Sequence, residues 1–352
     1  MRVLIIGGTR FIGWHIASAL IRAGHRVCVF HRGSTPIEGL QDPDEILGEK
    51  ADLFKYRERF RDFEPDVVID CIGYTGADGY ELIETFAGLV PRLIFLSSCD
   101  VYRAHAVLHR SSDDPLQLTP LTEHSPLRTN FFPYRSFASG PDDWQHDYDK
   151  IPIEQMLLAQ GDLQATILRL PAVYGPRDYR LRVWEYLRKM EAARRAIVLP
   201  LTYSNWFWGR GYVKNIAAAI CHLLIKDSTS SAVFNLGDPA VLSQKRWVEH
   251  IARIAGWNGR IVIVPDDQLP DPLNAPHNFA QNWTISANRF RREMGFAEPF
   301  TLEESLEETI GWLRANPPKV PAEQMERWQQ EDEAEDRWLA DSPEARCIVN
   351  SQ

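Results

Sequence analysis

The chain has 352 residues, 44% of them hydrophobic and 25% charged, and a formal net charge of −9. That length exceeds what one hydrophobic core usually fills, so a large domain carrying a second lobe is expected. The acidic balance argues against a general nucleic-acid binder, which needs clustered lysine and arginine, and no apolar run approaches the ~18 residues of a membrane span. Five cysteines, at 28, 71, 99, 221 and 347, show neither a CxxC pair nor metal-ligand spacing, which suits reduced thiols and no metal centre. With no signal-peptide pattern at the N-terminus, the expectation is a cytoplasmic protein without a membrane or nucleic-acid partner.

In chain order, "RVLII" is a short apolar strand closed by Gly7 and Gly8, and apolar residues at Ile12, Ile16, Leu20 and Ile21 then recur at helical spacing. Gly24 stops that helix, and "RVCVF" (26–30) is a second strand. Further strands are expected at 66–70, 92–98, 164–170, 232–237 and 260–265, with helices at 78–89, 153–160 and 214–225 between many of them. Continuous apolar strands alternating with helices predict an α/β fold of Rossmann type, a doubly wound parallel sheet covered on both faces. The pattern turns irregular and aromatic after 178, notably in "TYSNWFWGRGY" (202–212), which predicts a smaller, irregular C-terminal substrate lobe. Residues 1–177, with 213–237 returning, are assigned to the dinucleotide domain, 178–318 mostly to the substrate lobe, and 319–352 to a charged tail. Thr301 and Glu304 have capping-box spacing ahead of an amphipathic helix.

"GGTRFIG" follows a strand and opens a helix, the context of a dinucleotide-binding turn. Glycines allow the tight turn and the close backbone approach, and the helix N-terminus offers unpaired N–H groups to a pyrophosphate. Gly7 and Gly13 are the first and last glycines of that loop, and Thr9, Arg10, Phe11 and Ile12 lie between them. After the second strand comes "HRGS", with no acid to accept a ribose 2′-hydroxyl. Arg32, supported by Arg10 and Ser34, could bind a 2′-phosphate, which places NADP ahead of NAD.

The loop, with four further segments in order, resembles the extended short-chain dehydrogenases/reductases of the NAD-dependent epimerase/dehydratase family, closest to the subgroup whose loop reads GGTRFIG. "LSSCDVY" (96–102), "LRLPAVYGP" (168–176), "FNLGDP" (234–239) and "LEESLEETIGWL" (302–313) are the matching segments. The resemblance implies an oxidoreductase or epimerase/dehydratase working by hydride transfer on a secondary alcohol or ketone of a small molecule, a sugar or nucleotide sugar among the candidates. It places Asp52 and Leu53 at the adenine, Pro171 beside the nicotinamide and Ser98 on the substrate oxygen, with Cys99 next to it. Cys99 has no evident histidine partner and reads as a small buried residue rather than a nucleophile. Such relatives are often dimers, so a homodimer is among the implied assemblies.

The family's acid/base pair is a tyrosine four residues before a lysine, with a glutamate four after it. Here "HDYDKIPIE" keeps Lys150 and Glu154, but His146 stands at the tyrosine position and Tyr148 is only two before the lysine. On an ideal helix that spacing points Tyr148 about 200° away from Lys150. Pro152, however, biases the chain before it away from helical geometry and is well placed in a first helical turn. A helix beginning near 151–152 would leave Tyr148 free to turn towards Ser98, whereas an earlier start would give the position to His146. Tyr148 is the preferred acid/base and His146 its rival, with Lys150 also holding the nicotinamide ribose. Trp208 falls where nucleotide-sugar enzymes of the family carry a phosphate-binding arginine, and Arg210 lies two residues along, on the same face of a strand. The competing reading is a catalytically impaired NADP-binding regulator, or an RNA- or protein-binding protein on the same fold.

Overall fold

A computed structural model describes residues 1–226, 231–273 and 276–341. Its core is a parallel sheet built from β1 (Arg2–Ile6), β2 (Arg26–His31), β3 (Asp44–Leu47), β4 (Val67–Asp70), β5 (Arg92–Ser98) and β6 (Gln164–Leu170), with Ala232–Asn235 as the seventh strand. The spatial order is Ala232–Asn235, β6, β5, β4, β1, β2, β3, every pair parallel. The chain winds outward in one direction from β1 to β3 and in the other from β4 onward. The crevice at the carboxyl ends of β1 and β4 is therefore the topological switch point where such sheets bind ligands.

Alternation along β1 shows why the strands read as unbroken apolar runs. Val3 and Ile5 face one core with α1 (Phe11–Arg22) and the helix Val213–Ile225. Leu4 and Ile6 face the other, with Phe30, Val68 and Leu82 of α2 (Gly76–Phe86). Both faces are covered, so neither needs polar residues. β3 escaped the sequence reading because an edge strand of four residues, "DEIL", carries only one buried apolar side chain, Ile46.

The second lobe has short pairs of strands. Arg260–Val264, a strand expected at 260–265, pairs parallel with Ala196–Pro200 in a separate two-stranded sheet. Both runs are apolar because this small sheet has its own core of Val198, Val262, Val264 and Leu269. Arg210–Tyr212 pairs with Ala172–Tyr174 just after β6, which connects the lobe to the main sheet. Thr301 and Glu304 form the expected capping box at the start of the helix Leu302–Ala315.

Residues Ala322–Asp341 of the acidic tail form a helix held against the second lobe; 342–352 lie outside the described residues. Glu335 is fully buried, accepting from the backbone N–H of Val198 and pairing with Lys189 at 2.7 Å and Arg194 at 3.2 Å. Asp332 accepts two bonds from Arg188, at 2.6 and 3.1 Å, and that guanidinium lies over the Trp328 ring. Removing one partner of a buried charged set leaves the others uncompensated. Glu335→Ala should therefore cost about 3 kcal/mol in chemical denaturation, while Glu333→Ala on the exposed face should stay within about 0.5 kcal/mol.

Candidate active site

The glycine loop lies at the carboxyl end of β1. Gly7 has φ +87°, a region that favours glycine, and its N–H donates to Phe30 O of β2. A Cβ on Gly13 would stand 2.3 Å from the Gly7 carbonyl oxygen, so the first turn of α1 presses directly on the loop. Arg10 is the N-cap residue of α1 in extended geometry, with no side-chain cap and no acid in the first turn. The N–H groups that open α1 thus have no side-chain acceptor and suit an anion. Thr9 and Ile12 are half-buried and Phe11 is buried, while the Arg10 guanidinium lies 5.1 Å from the Tyr179 ring centre. The donor set and the side-chain-free cradle fit the pyrophosphate of a dinucleotide.

Beyond β2, Arg32 and Ser34 are exposed. His31, the last residue of β2, is buried and hydrogen-bonded at 2.9 Å to Glu45 on β3. An acid thus reaches the end of β2 from the neighbouring strand, a pairing invisible along the chain. Asp52 forms a surface ion pair with Lys55 at 2.8 Å, whereas Leu53 is wholly buried in the core beside Phe30 and Phe60. Pro171 is buried, its Cγ 3.3 Å from where a Cβ on either Gly211 or Gly237 would stand.

At the end of β5, Ser98 caps a short turn over Cys99–Val101, its hydroxyl accepting from the Asp100 N–H at 3.2 Å. Cys99 is buried, which pushes its thiol well above the ordinary value and leaves it protonated. Facing this turn is the start of α3 (Lys150–Leu158). The helix begins one residue before the expected 151–152 because Asp149 caps it, accepting from the Ile151 N–H at 3.0 Å, with Pro152 in the first turn. Tyr148 therefore precedes the helix, and its hydroxyl donates to Asp100 Oδ2 at 2.9 Å. The angular separation expected of an ideal helix does not apply to a residue outside it.

Lys150 is buried beneath Tyr148. Its Nζ donates to Leu96 O at 3.0 Å and lies 4.9 to 5.8 Å from the ring centres of Phe95, Tyr74 and Tyr148. Burial pulls its pKa down to about 8, with Asp70 opposing that shift and Lys50 adding to it. Burial raises Tyr148 well above the ordinary value, reinforced by the charge of Asp100, and burial also raises Asp100 against the pull of Arg128. Tyr148 is thus held as a phenol able to donate. His146 is partly exposed in the acidic turn, its Nδ1 2.8 Å from Asp147 and its carbonyl accepting from Arg135. The fold brings Ser98, Tyr148 and Lys150 together and leaves His146 outside that group.

Three neighbours were not singled out in the sequence: Asp100, Tyr134 and Lys50. Asp100 had the only signal, standing two residues after Ser98 in "SSCDVY". Tyr134 donates to Asp100 at 3.1 Å, and Lys50 lies 3.2 Å from Asp78 and 3.8 Å from Asp70.

On the lobe side, Arg210 is buried between the rings of Trp247 and Trp208, at 4.1 and 4.9 Å. It donates to Gln244 at 2.5 Å and to Trp208 O at 3.1 Å. Trp208 lies between Trp206 and Trp283 in a stacked series, and the buried indole N–H groups of Trp208 and Trp283 have no protein acceptor. Trp283, His105, Tyr134 and Tyr148 continue as a run of adjacent rings to Ser98's turn. The described residues hold no group of three or more His, Cys, Asp or Glu suited to a metal ion and no helix long and apolar enough to cross a membrane.

Comparison with known proteins agrees with this architecture. Chloroplast stem-loop binding protein of 41 kDa b of Arabidopsis thaliana is 23% identical over 327 residues, covering 87% of this chain and 77% of the relative. The 2′-dehydrokanamycin reductase of Streptomyces kanamyceticus is 27% identical over 280 residues, 78% of this chain and 72% of the relative. Among solved structures, a Thermus thermophilus UDP-glucose 4-epimerase in complex with NAD superposes with a TM-score of 0.65 at 19% identity, covering 90% of this chain and 100% of that one. The model of the NAD dependent epimerase/dehydratase family matches residues 3–237, and with that match over most of its length the chain belongs to this family.

Proposed function

We propose that the protein is a nicotinamide-dependent oxidoreductase acting on a secondary alcohol or ketone of a small, ring-bearing molecule. One observation carries the reading: the Tyr148 hydroxyl meets the Ser98–Asp100 turn, above the Lys150 ammonium, at the carboxyl edge of the sheet that carries the glycine loop. The first turn of α1 and Gly7 and Gly13 would hold the pyrophosphate, Lys150 the nicotinamide ribose, and Pro171 would flank the nicotinamide. A bound nicotinamide supplies or accepts the hydride. Ser98 hydrogen-bonds the reacting oxygen and Tyr148 exchanges a proton with it, so that charge never accumulates there. Lys150 favours the tyrosinate that forms when Tyr148 gives up its proton. A relative named as a reductase supports the redox assignment. The net charge of −9 weighs against carrying over the stem-loop binding in the other relative's name.

On the lobe side the Trp206–Trp208–Trp283 stack leaves two buried indole N–H groups without a protein acceptor, donors that the hydroxyls of a sugar entering there would fill. Arg210 spends its donors inside the lobe and serves to brace Trp208.

Calorimetric titration with NADP and NAD tests the cofactor assignment, and a protein that binds neither removes the proposal. Arg32→Ala should weaken NADP about tenfold while leaving NAD nearly unchanged, as expected for loss of one charge-assisted phosphate contact. Equal effects on both would favour Glu45 and His31 as the ribose partners. Turnover is followed at the nicotinamide absorbance with a panel of keto sugars. Tyr148→Phe should lower kcat by about 10²-fold or more with cofactor affinity intact, while His146→Gln should stay near wild type. The reverse pattern would hand the acid/base role to His146.

A further inference from the structure

Net reduction and epimerisation differ in their proton balance. Reduction of a ketone takes up one hydride and one proton for every alcohol made, whereas epimerisation through the same ketone returns both. An acid buried like Tyr148 must then be refilled from solvent after each net reduction.

The side chains behind Tyr148 form a hydrogen-bonded path as far as His105. Asp100 Oδ2 accepts from Tyr148 at 2.9 Å and from Tyr134 at 3.1 Å. The Tyr134 hydroxyl lies 3.3 Å from His105 Nε2. Because Tyr134 gives its proton to Asp100, its oxygen is left to accept, which assigns the His105 proton to Nε2. His105 Nδ1 is buried without a protein partner, as is Asp100 Oδ1. The His105 ring stands 4.2 Å from that of His109, and His109 stands 4.7 Å from His277, which is only half-buried. Burial lowers all three histidines, His109 to about 4, with Arg128 and the neighbouring rings adding to the effect at His105 and Arg110 at His277. They are neutral at neutral pH, each with one protonated and one unprotonated ring nitrogen. That form takes a proton on one nitrogen while releasing one from the other.

We infer that Tyr134 and His105 form a proton-refilling branch behind Tyr148, and that the reaction it serves is a net reduction or oxidation rather than an epimerisation. The inference rests on the redox reading of Tyr148. In reduction, hydride reaches the carbonyl carbon, the C=O π pair moves to oxygen, and Tyr148 protonates that oxygen. Asp100 Oδ2 relays the Tyr134 proton to the resulting tyrosinate. Tyr134 is refilled from His105 Nε2 as Nδ1, which has no protein partner, takes a proton from a water entering on the side of His109 and the half-buried His277. One proton enters from solvent and one leaves on the product hydroxyl, and oxidation runs the same path backward. Arg128 and Lys150 are the cations facing Asp100, and both limit the negative charge passing along the branch. Tyr134 and His105 are positioning and relay residues; neither touches the reacting atoms.

The first test needs no substrate. In the ¹⁵N-histidine-labelled full chain, without added ligand, His105 should appear by NMR as the neutral Nε2–H form across neutral pH, and Tyr134→Phe should move its Nε2 resonance. A proton on Nδ1, or a resonance indifferent to Tyr134→Phe, overturns the branch whether or not turnover is found. The second test uses the keto sugar that turns over with NADPH. Tyr134→Phe and His105→Gln should each lower kcat about tenfold or more and enlarge the solvent deuterium effect, with KM and cofactor affinity unchanged. Parallel losses in KM, cofactor binding and melting temperature mark a structural role and overturn the branch. His105→Gln keeps this arm decisive if Tyr134→Phe folds poorly. An epimer as the sole product overturns the net-redox half. Failure to bind any nicotinamide removes the redox reading, and the NMR outcome still judges the path.

Discussion

The buried ion pair between Arg128 and Asp149 is the interaction on which the site depends. Both side chains are almost wholly removed from solvent, and two bonds of 2.6 and 2.9 Å join them. A buried charge is tolerable only when its hydrogen-bonding capacity is filled. Asp149 also accepts from the Phe132 N–H at 2.9 Å and the Ile151 N–H at 3.0 Å, while its own N–H donates to Tyr74 O. Arg128 also donates to the Asp100 and Asn130 carbonyls. One pair therefore fixes the start of α3, the turn after β5 and the loop between them. Tyr148 and Lys150 flank Asp149 in sequence, so the cap that starts the helix also sets where both point.

That arrangement explains how a tyrosine two residues from its lysine shares a site with it. Within a helix the spacing would separate the two side chains; across a helix start it does not, because the residue before the cap leaves the helical path. Pro152 and Asp149 favour the same boundary for different reasons, the one by ring geometry and the other by satisfying a free N–H. The segment was legible in the sequence to that extent. The Rossmann sheet was legible too, because strands buried on both faces must be apolar throughout and a Cβ would collide with the loop backbone at Gly13 and with the Ile72 side chain at Gly7.

What could not be read has a common physical origin: contacts between residues far apart along the chain that carry no periodic signal. Glu45 reaches His31 only because a short, polar edge strand pairs with β2. Arg260–Val264 was legible as a strand, but its partner, Ala196–Pro200, was not. The tail reads as solvated charge, yet Asp332 and Glu335 meet Arg188, Lys189 and Arg194 more than a hundred residues away. His105 sits in the short helix Arg103–Leu108 and Tyr134 in a turn, neither long enough to show a period, so their convergence on Asp100 appears only in three dimensions.

The electrostatics of the site follow from the same enclosure. Lys150 and Lys50 face Asp70, Asp78 and Asp100 in a largely buried cluster. In such surroundings each charge depends on its neighbours, and a proton moved at one group changes the cost of ionising the next. Lys150, pulled down to about 8 by burial, is still mainly an ammonium at pH 7 but gives up its proton far more readily than an exposed lysine. Any added negative charge, whether tyrosinate or a bound phosphate nearby, stabilises its ammonium form. The ammonium in turn stabilises the tyrosinate, so substrate protonation and lysine charge are linked through one buried volume. The Phe95, Tyr74 and Tyr148 rings around Lys150 keep the two charges in that shared low-dielectric surrounding.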